Sequence, residues 1–279
     1  MKKIDQPVIV KIAKIIDESP VYKTFVFDYP LNARPGQYVM LWLPKVDAKP
    51  FSIAWQTSDQ FGLAAIKIGP YTEKLFACQK GDLLGILGPY GTSYNFSGDL
   101  PAGLSADEAG EAGKKILIIG GGSGVASVTF LAQKAREENI KVDFVLAAKA
   151  KDQLIYEDWL KKLGINVYHR FQEGGAEHAW DIFKNLAEKN NYDGLYGCGP
   201  ELLLKKLVDF SLAKNIFCQV SLERYMKCGI GVCGSCCMDP LGICLCEQGP
   251  VVNNHLANQL TEFGKYHRDG AGQKVYFNQ

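Results

Sequence analysis

The chain has 279 residues, 47% of them hydrophobic and 22% charged, with a formal net charge of +1 at pH 7. That length accommodates roughly two domains with a core each, and the ordinary composition excludes a disordered or low-complexity protein. A net charge so near zero offers no basic field for nucleic acid, and no apolar run approaches the roughly 18 residues that span a bilayer.

The amino-terminal stretch MKKIDQPVIVKIAKIIDESP begins with lysines, but Asp5, Pro7, Lys11 and Lys14 interrupt any apolar signal segment. The expectation is a cytoplasmic protein. Thiols there are kept reduced, so clustered cysteines among its nine read as metal ligands or redox groups rather than disulfides.

From Val8 to about Gly88 short β-branched and aromatic runs alternate with turns: VIVKIAKIID, YKTFVFDY, GQYVMLWL, FSIAW, LAAIKI and LLGILGP. This spacing predicts a small antiparallel barrel or sandwich. Three segments stand out: Lys49-Pro50-Phe51-Ser52, Ile66-Lys67-Ile68-Gly69-Pro70-Tyr71-Thr72 and Gly88-Pro89-Tyr90-Gly91. Each alone is satisfied by ordinary turn chemistry. Together and in this order they resemble the flavin domain of the ferredoxin-reductase-like proteins. That resemblance implies FAD held by Lys49, Pro50, Phe51 and Ser52, with Ile66, Lys67, Ile68 and Thr72 as a second segment. A cation suits the pyrophosphate, a proline fixes the backbone, and a hydroxyl can reach the flavin ring edge. Lys49 stands where the family has arginine, exchanging a bidentate fork for a point charge. Tyr71 stands where the family has glycine.

Residues 97–113, SGDLPAGLSADEAGEAG, are small, acidic and without hydrophobic period, and they read as a linker. The expected division is a barrel over 1–97, a linker over 98–113, a nucleotide domain over 114–219 and a cysteine-rich region over 220–279.

After the linker comes the apolar run Ile116–Ile119, then Gly120-Gly121-Gly122-Ser123-Gly124, then a helical stretch. A strand, a glycine turn and a helix start can hold a dinucleotide phosphate on backbone N–H groups. The strict G-x-G-x-x-G fingerprint is not met, because Val125 and Ser127 occupy its last position in the two possible registers. Asp143 lies at the wrong end of its strand for a ribose contact. Strands and helices then alternate, which predicts a doubly wound parallel sheet. The turn is similar to the Gly-Gly-Gly-x-Gly element of the same reductase-like proteins, and Tyr196-Gly197-Cys198-Gly199-Pro200 to their pocket segment. The resemblance therefore places NAD(P) at Gly120, Gly121, Gly122 and Gly124, with Cys198, Gly199 and Pro200 near the nicotinamide. His169, His178, Cys78 and Cys218 read as surface or packing residues.

Residues 227–252, KCGIGVCGSCCMDPLGICLCEQGPVV, hold six of the nine cysteines. Cys228, Cys233 and Cys236 have the Cys-x4-Cys-x2-Cys spacing of a plant-type [2Fe–2S] site, which needs a distant fourth ligand. Cys244 and Cys246 are both available. Gly229, Gly231 and Gly234 suit a loop turning N–H groups toward anionic sulfur. Zinc, a disulfide knot or buried thiols are the alternatives, but only Cys233/Cys236 makes a good zinc knuckle.

The run from Ser221 to Cys237, SLERYMKCGIGVCGSCC, resembles the cluster segment of the electron-transfer subunits of class 1B dihydroorotate dehydrogenase. That family joins an FAD barrel, an NAD domain and a [2Fe–2S] loop in this order. Its fourth ligand precedes a Gly-Pro-Val turn, which implies Cys246 and leaves Cys237 and Cys244 as spare thiols. The resemblance implies a relay between NAD(H), FAD, the cluster and a catalytic dihydroorotate dehydrogenase flavoprotein subunit of pyrimidine biosynthesis, in a heterotetramer. A stand-alone NAD(P)H-dependent reductase is the second reading, and a metal-cysteine sensor or docking module the third.

Overall fold

The structure, a computed structural model, describes residues 6–96, 114–171 and 178–277. The expected linker at 98–113 lies outside the described residues.

The first half supplies β1 (Val8–Asp17), β2 (Tyr22–Phe27), β3 (Tyr38–Leu43), β4 (Asp47–Gln56), β5 (Phe61–Ile66), α1 (Pro70–Phe76) and β6 (Leu83–Tyr90). Its strands close into a barrel in the order β1-β2-β5-β4-β3-β6. Closure leaves no unpaired sheet edge. Alternation sorts the side chains: Val39, Leu41 and Leu43 of β3 enter the barrel core with Phe25, Phe27, Phe61 and Leu63, whereas Tyr38 and Met40 face outward into a different core. Helix α1 packs Tyr71 and Leu75 into the barrel interior.

The second half supplies β7 (Lys115–Gly121), α2 (Val125–Glu137), β8 (Lys141–Ala148), α3 (Glu157–Lys162), β9 (Asn166–Phe171), α4 (Ala179–Lys189), β10 (Gly194–Cys198), α5 (Glu201–Lys214) and β11 (Cys218–Ser221). These strands pair in parallel. Ile116 to Ile119 are fully buried, as expected for strands covered on both faces. The chain runs outward from β7 through β8 to β9, then returns to start again at β10 beside β7. That reversal opens a crevice at the carboxyl ends of β7 and β10. Helix α2 also reaches the barrel: Phe130 joins the barrel core, and the Gln133 amide donates to the Gln56 carbonyl at 2.7 Å.

Between residues 222 and 250 lie β12 (Cys237–Met238), β13 (Ile243–Cys244) and α6 (Leu245–Gln248), followed by β14 (Val251–Asn253), α7 (Asn254–Gln259), β15 (Tyr266–Arg268) and β16 (Lys274–Tyr276). The sheet is mixed rather than purely parallel, because β14 adds antiparallel to β11 and gives the order β14-β11-β10-β7-β8-β9. Strand β11 also crosses the division expected at 219/220, and the Asn254 amide donates to Ser211 on α5 at 3.0 Å. The carboxyl-terminal region thus completes the nucleotide sheet. Val251 and Val252 bury well, but a three-residue strand carries no readable period.

A buried ion pair fixes that region from below. The Arg224 guanidinium meets Glu201 at the start of α5, with Nη2 at 3.0 Å from Oε1. The same oxygen accepts from the Gly264 N–H at 2.8 Å, tying β10's following helix, the cysteine segment and the tail to one carboxylate.

Candidate functional site

The cysteine loop places four thiols in two pairs. The Cys233 N–H donates to Cys228 Sγ at 3.4 Å, and the Cys246 N–H donates to Cys236 Sγ at 3.4 Å. Further N–H groups converge on the same sulfurs: Val232 to Cys228 at 3.4 Å, Ile230 to Cys228 at 3.5 Å and Gly231 to Cys246 at 3.1 Å. Gly229 and Gly231 both sit at φ +73°, a conformation that L side chains rarely adopt, and it is this winding that turns the amides inward. Cys244 stays out of this network. It lies opposite Cys237 in the β12–β13 ladder and is bonded to it as a disulfide. The two were expected as separate spare thiols; strand pairing brings them together.

The donor set fits a two-iron cluster. Amides aimed at thiolates are what such a cluster's sulfurs accept. Two pairs also suit two metals. The environment is asymmetric. Cys236 and Cys246 are each 2% exposed, whereas Cys233 and its neighbour Val232 lie in solvent, Val232 at 78%. Burial works to raise the Cys233 thiol, but hydrogen bonding with Ser235 and Cys228 outweighs it and holds it at about 6. Burial and then the neighbouring Cys236 push Cys246 up to about 12.

The buried side of the loop rests on the barrel. The Tyr38 hydroxyl lies 3.2 Å from the Gly229 carbonyl and 3.1 Å from the Cys246 carbonyl. Met40 packs under Gly229, where a Cβ would come within 2.7 Å of its Cγ. Neither Tyr38 nor Met40 was nominated from sequence; a strand's first residues give no sign of what lies across from them. In the β3–β4 ladder Tyr38 faces Ser52 and Met40 faces Pro50. Two residues of the candidate flavin element are therefore register neighbours of the two side chains that touch the cysteine loop. Phe51 instead points into the barrel core. Lys49 is paired with Asp47 at 2.6 Å and lies 5.6 Å above the Tyr225 ring. Tyr71 does not obstruct the second segment, since its ring is buried and its hydroxyl donates to the Leu41 carbonyl at 2.6 Å. Thr72 Oγ1 accepts from the N–H groups of Ile68 and Gly69 at 3.0 and 3.1 Å, so its hydroxyl holds the start of α1. Ile66 ends β5, and Lys67 and Ile68 are exposed beyond it.

The crevice joins the other two nominated segments. Cys198 is the register partner of Gly120. A Cβ on Gly124 would come within 2.5 Å of the Cys198 carbonyl carbon, and one on Gly121 within 2.8 Å of Pro200. Gly122 carries the turn at φ +55°, and Gly199 at φ +152° lies against the Gly121 backbone. Around Cys198 stand Tyr94, Ser127 and Ser221. Burial, then the Glu223 charge, pushes the Cys198 thiol up to about 12, so it stays protonated. The Ser127 hydroxyl is buried and has no partner at bonding geometry, although Tyr94 and Cys198 lie near enough to be affected by it.

Residues 223–257 match the model of a family described as the iron-sulfur cluster binding domain of dihydroorotate dehydrogenase B. A relative from Methanocaldococcus jannaschii, named a probable dihydroorotate dehydrogenase B (NAD(+)) electron transfer subunit, is 37% identical over 276 residues, covering 98% of this chain and all of the relative. The chain belongs to that family of electron transfer subunits. A second member, from Methanothermobacter thermautotrophicus, is 33% identical over 280 residues and covers 99% of each chain. Among solved structures, an NADH-dependent reduced ferredoxin-NADP oxidoreductase has a TM-score of 0.74 at 22% identity, covering 90% of both chains. Phthalate dioxygenase reductase has a TM-score of 0.57 at 16% identity, over 74% of this chain and 64% of that one. At those identities the likeness is one of fold: the ferredoxin-reductase-like pairing of barrel and nucleotide sheet. Family membership makes the chain an oxidoreductase subunit for electron transfer, and no helix among the described residues is long and apolar enough to cross a membrane.

Proposed function

We propose that the chain carries electrons between NAD(H) and a catalytic flavoprotein subunit that oxidises dihydroorotate to orotate, within a cytoplasmic heterotetramer. The observation that carries this reading is the Tyr38 hydroxyl between the Gly229 and Cys246 carbonyls, because it ties the barrel's flavin-side face directly to the cysteine loop. When bound, a flavin supplies exchange between two-electron and one-electron chemistry, and a [2Fe–2S] cluster carries one electron at a time.

The residues divide the work. Gly120, Gly121, Gly122 and Gly124 with Cys198, Gly199 and Pro200 would hold the dinucleotide. Lys49, Pro50 and Ser52, with Ile66, Lys67, Ile68 and Thr72, hold FAD against the barrel, with Phe51 anchoring the strand. Cys228, Cys233, Cys236 and Cys246 ligate the cluster, and exposed Cys233 marks the side turned to the partner. No acid–base pair is required in this chain, since the carbon chemistry falls to the partner.

Anaerobic co-expression with a dihydroorotate-oxidising subunit tests the proposal. Expected are about one FAD and two irons per chain, and NAD+ reduction by dihydroorotate only when both subunits are present. Zinc without flavin, or full activity of the partner with NAD+ alone, overturns it.

A further inference from the structure

We propose that Cys237 and Cys244 form a reversible dithiol/disulfide centre that exchanges an electron pair with the cluster loop. The proposal rests on the electron-carrying reading above. Strand pairing sets the two residues directly opposite each other, with Cα atoms 4.0 Å apart, and their sulfurs are bonded. Among the described residues every other cysteine is free.

The pair's position is what distinguishes it from a staple. Along β12 and β13, Met238 and Ile243 turn inward to the core, and so do the flanking Cys236 and Leu245. Cys237 and Cys244 take the alternate, half-exposed face. The hairpin therefore carries ligand residues on its buried side and at its end, and the disulfide on its outer side. Cys237 adjoins Cys236, Cys244 is two residues from Cys246, and the ends are closed by the Leu245 N–H on the Cys236 carbonyl at 3.2 Å. Cys237 Sγ also lies 4.0 Å from where a Cβ on Gly234 would stand, so it borders the ligand loop from the other side.

A structural purpose is poorly served here. The bond spans a sequence separation of only 7, within a hairpin already held by its ladder, and constraint of the unfolded chain is smallest for short loops. In a reducing compartment, disulfides that do form are mostly transient and redox-active. A source of electrons stands one residue away. In the balanced step the S–S bond breaks, two electrons and two protons are taken up, and two S–H bonds form. NADH with one proton supplies them and leaves as NAD+, the electrons arriving singly through the loop; the reverse step returns both to NAD+.

Thiol labelling of anaerobic, cluster-loaded protein, quenched under denaturing conditions and read by tandem mass spectrometry, tests this. In protein held oxidised with excess NAD+, Cys237 and Cys244 are expected unlabelled; after NADH both are expected labelled. Free thiols in the oxidised sample overturn the proposal. So does a pair that stays closed while NADH reduces the cluster, seen by EPR, and that outcome leaves the relay standing. Opening by dithionite but not by NADH overturns the proposal as well, because a general reductant can reach the half-exposed pair without the loop. As a second measurement, the C237S/C244S variant is expected to keep its cluster signal and to accept two fewer electrons per chain in coulometric reduction. Equal uptake by variant and wild type overturns the proposal.

Discussion

Glycine meets different needs at Gly124 in the crevice of the nucleotide sheet and at Gly234 in the cysteine loop. Gly124 has an ordinary helical backbone at φ −65°, and its difficulty is space: an added Cβ would meet the Cys198 and Gly199 backbone at 2.5 Å. Gly234 has space, with only Cys237 Sγ at 4.0 Å, but sits at φ +71°. Gly124 answers to close packing against a neighbouring strand end, and Gly234 to the winding of its loop. Their ligands differ accordingly: a flat dinucleotide laid against backbone, and a compact anion wrapped by amides.

The largest effect that would test this contrast is at the thiols. Cys246→Ser should abolish the cluster's EPR signal, whereas Cys244→Ser should leave it, since only Cys246 shares the amide network. The opposite behaviour breaks the ligand assignment. Next, Gly124→Ala should cost about 3 kcal/mol in urea unfolding through overpacking and weaken NADH binding without disturbing the cluster signal. Gly234→Ala should cost only about 1 kcal/mol, and Gly234→Asn less, because asparagine tolerates positive φ; at Gly124 asparagine should bring no relief. Tyr38→Phe should cost about 1 kcal/mol and shift the cluster's g values while leaving iron content unchanged.

The smallest effect concerns pH. Burial works to raise the Asp143 carboxyl, but hydrogen bonds from Tyr192, Lys115 and Asn166 outweigh it and hold it below its ordinary value. A depressed folded-state pKa contributes stability that is fully present above the unfolded value near about 4 and fades as pH falls through the folded one. Wild-type protein should therefore lose more stability than Asp143→Asn between pH 6 and pH 3, measured by urea unfolding. An equal loss in both would remove Asp143 from the account.

What the chain's letters revealed follows the same division. Spacing signals that act locally were readable: the Cys-x4-Cys-x2-Cys run, the Gly120–Gly124 turn, and strands such as Val8–Asp17, whose bounds match the run read from sequence. Interactions fixed only by tertiary contact were not. Nothing in the letters around Tyr38 announces carbonyls near residues 229 and 246, nor does Ser127 announce an unpartnered hydroxyl beside Cys198. Val251–Asn253 is too short to show a strand's period, and the Cys237–Cys244 pairing depends on a hairpin of two-residue strands. Asp143 was readable as lying at the wrong end of its strand for ribose, but its role in holding Lys115 and Tyr192 needed the neighbouring strands.

The ladder that pairs Ser221 with Val251 gives the cysteine region an unusual standing. Residues 222–250 leave the nucleotide sheet from one strand and re-enter it on the adjacent one, and the Thr92 N–H grips the Gly249 carbonyl at 2.6 Å as they return. The redox loop is thus an excursion from a sheet edge, anchored at both of its ends. Leu222, Met226, Met238, Ile243 and Leu245 of that excursion share one core with Tyr38 and Met40 of the barrel and with Leu117, Leu204 and Val220 of the nucleotide half, so a change in its length is felt in both halves at once.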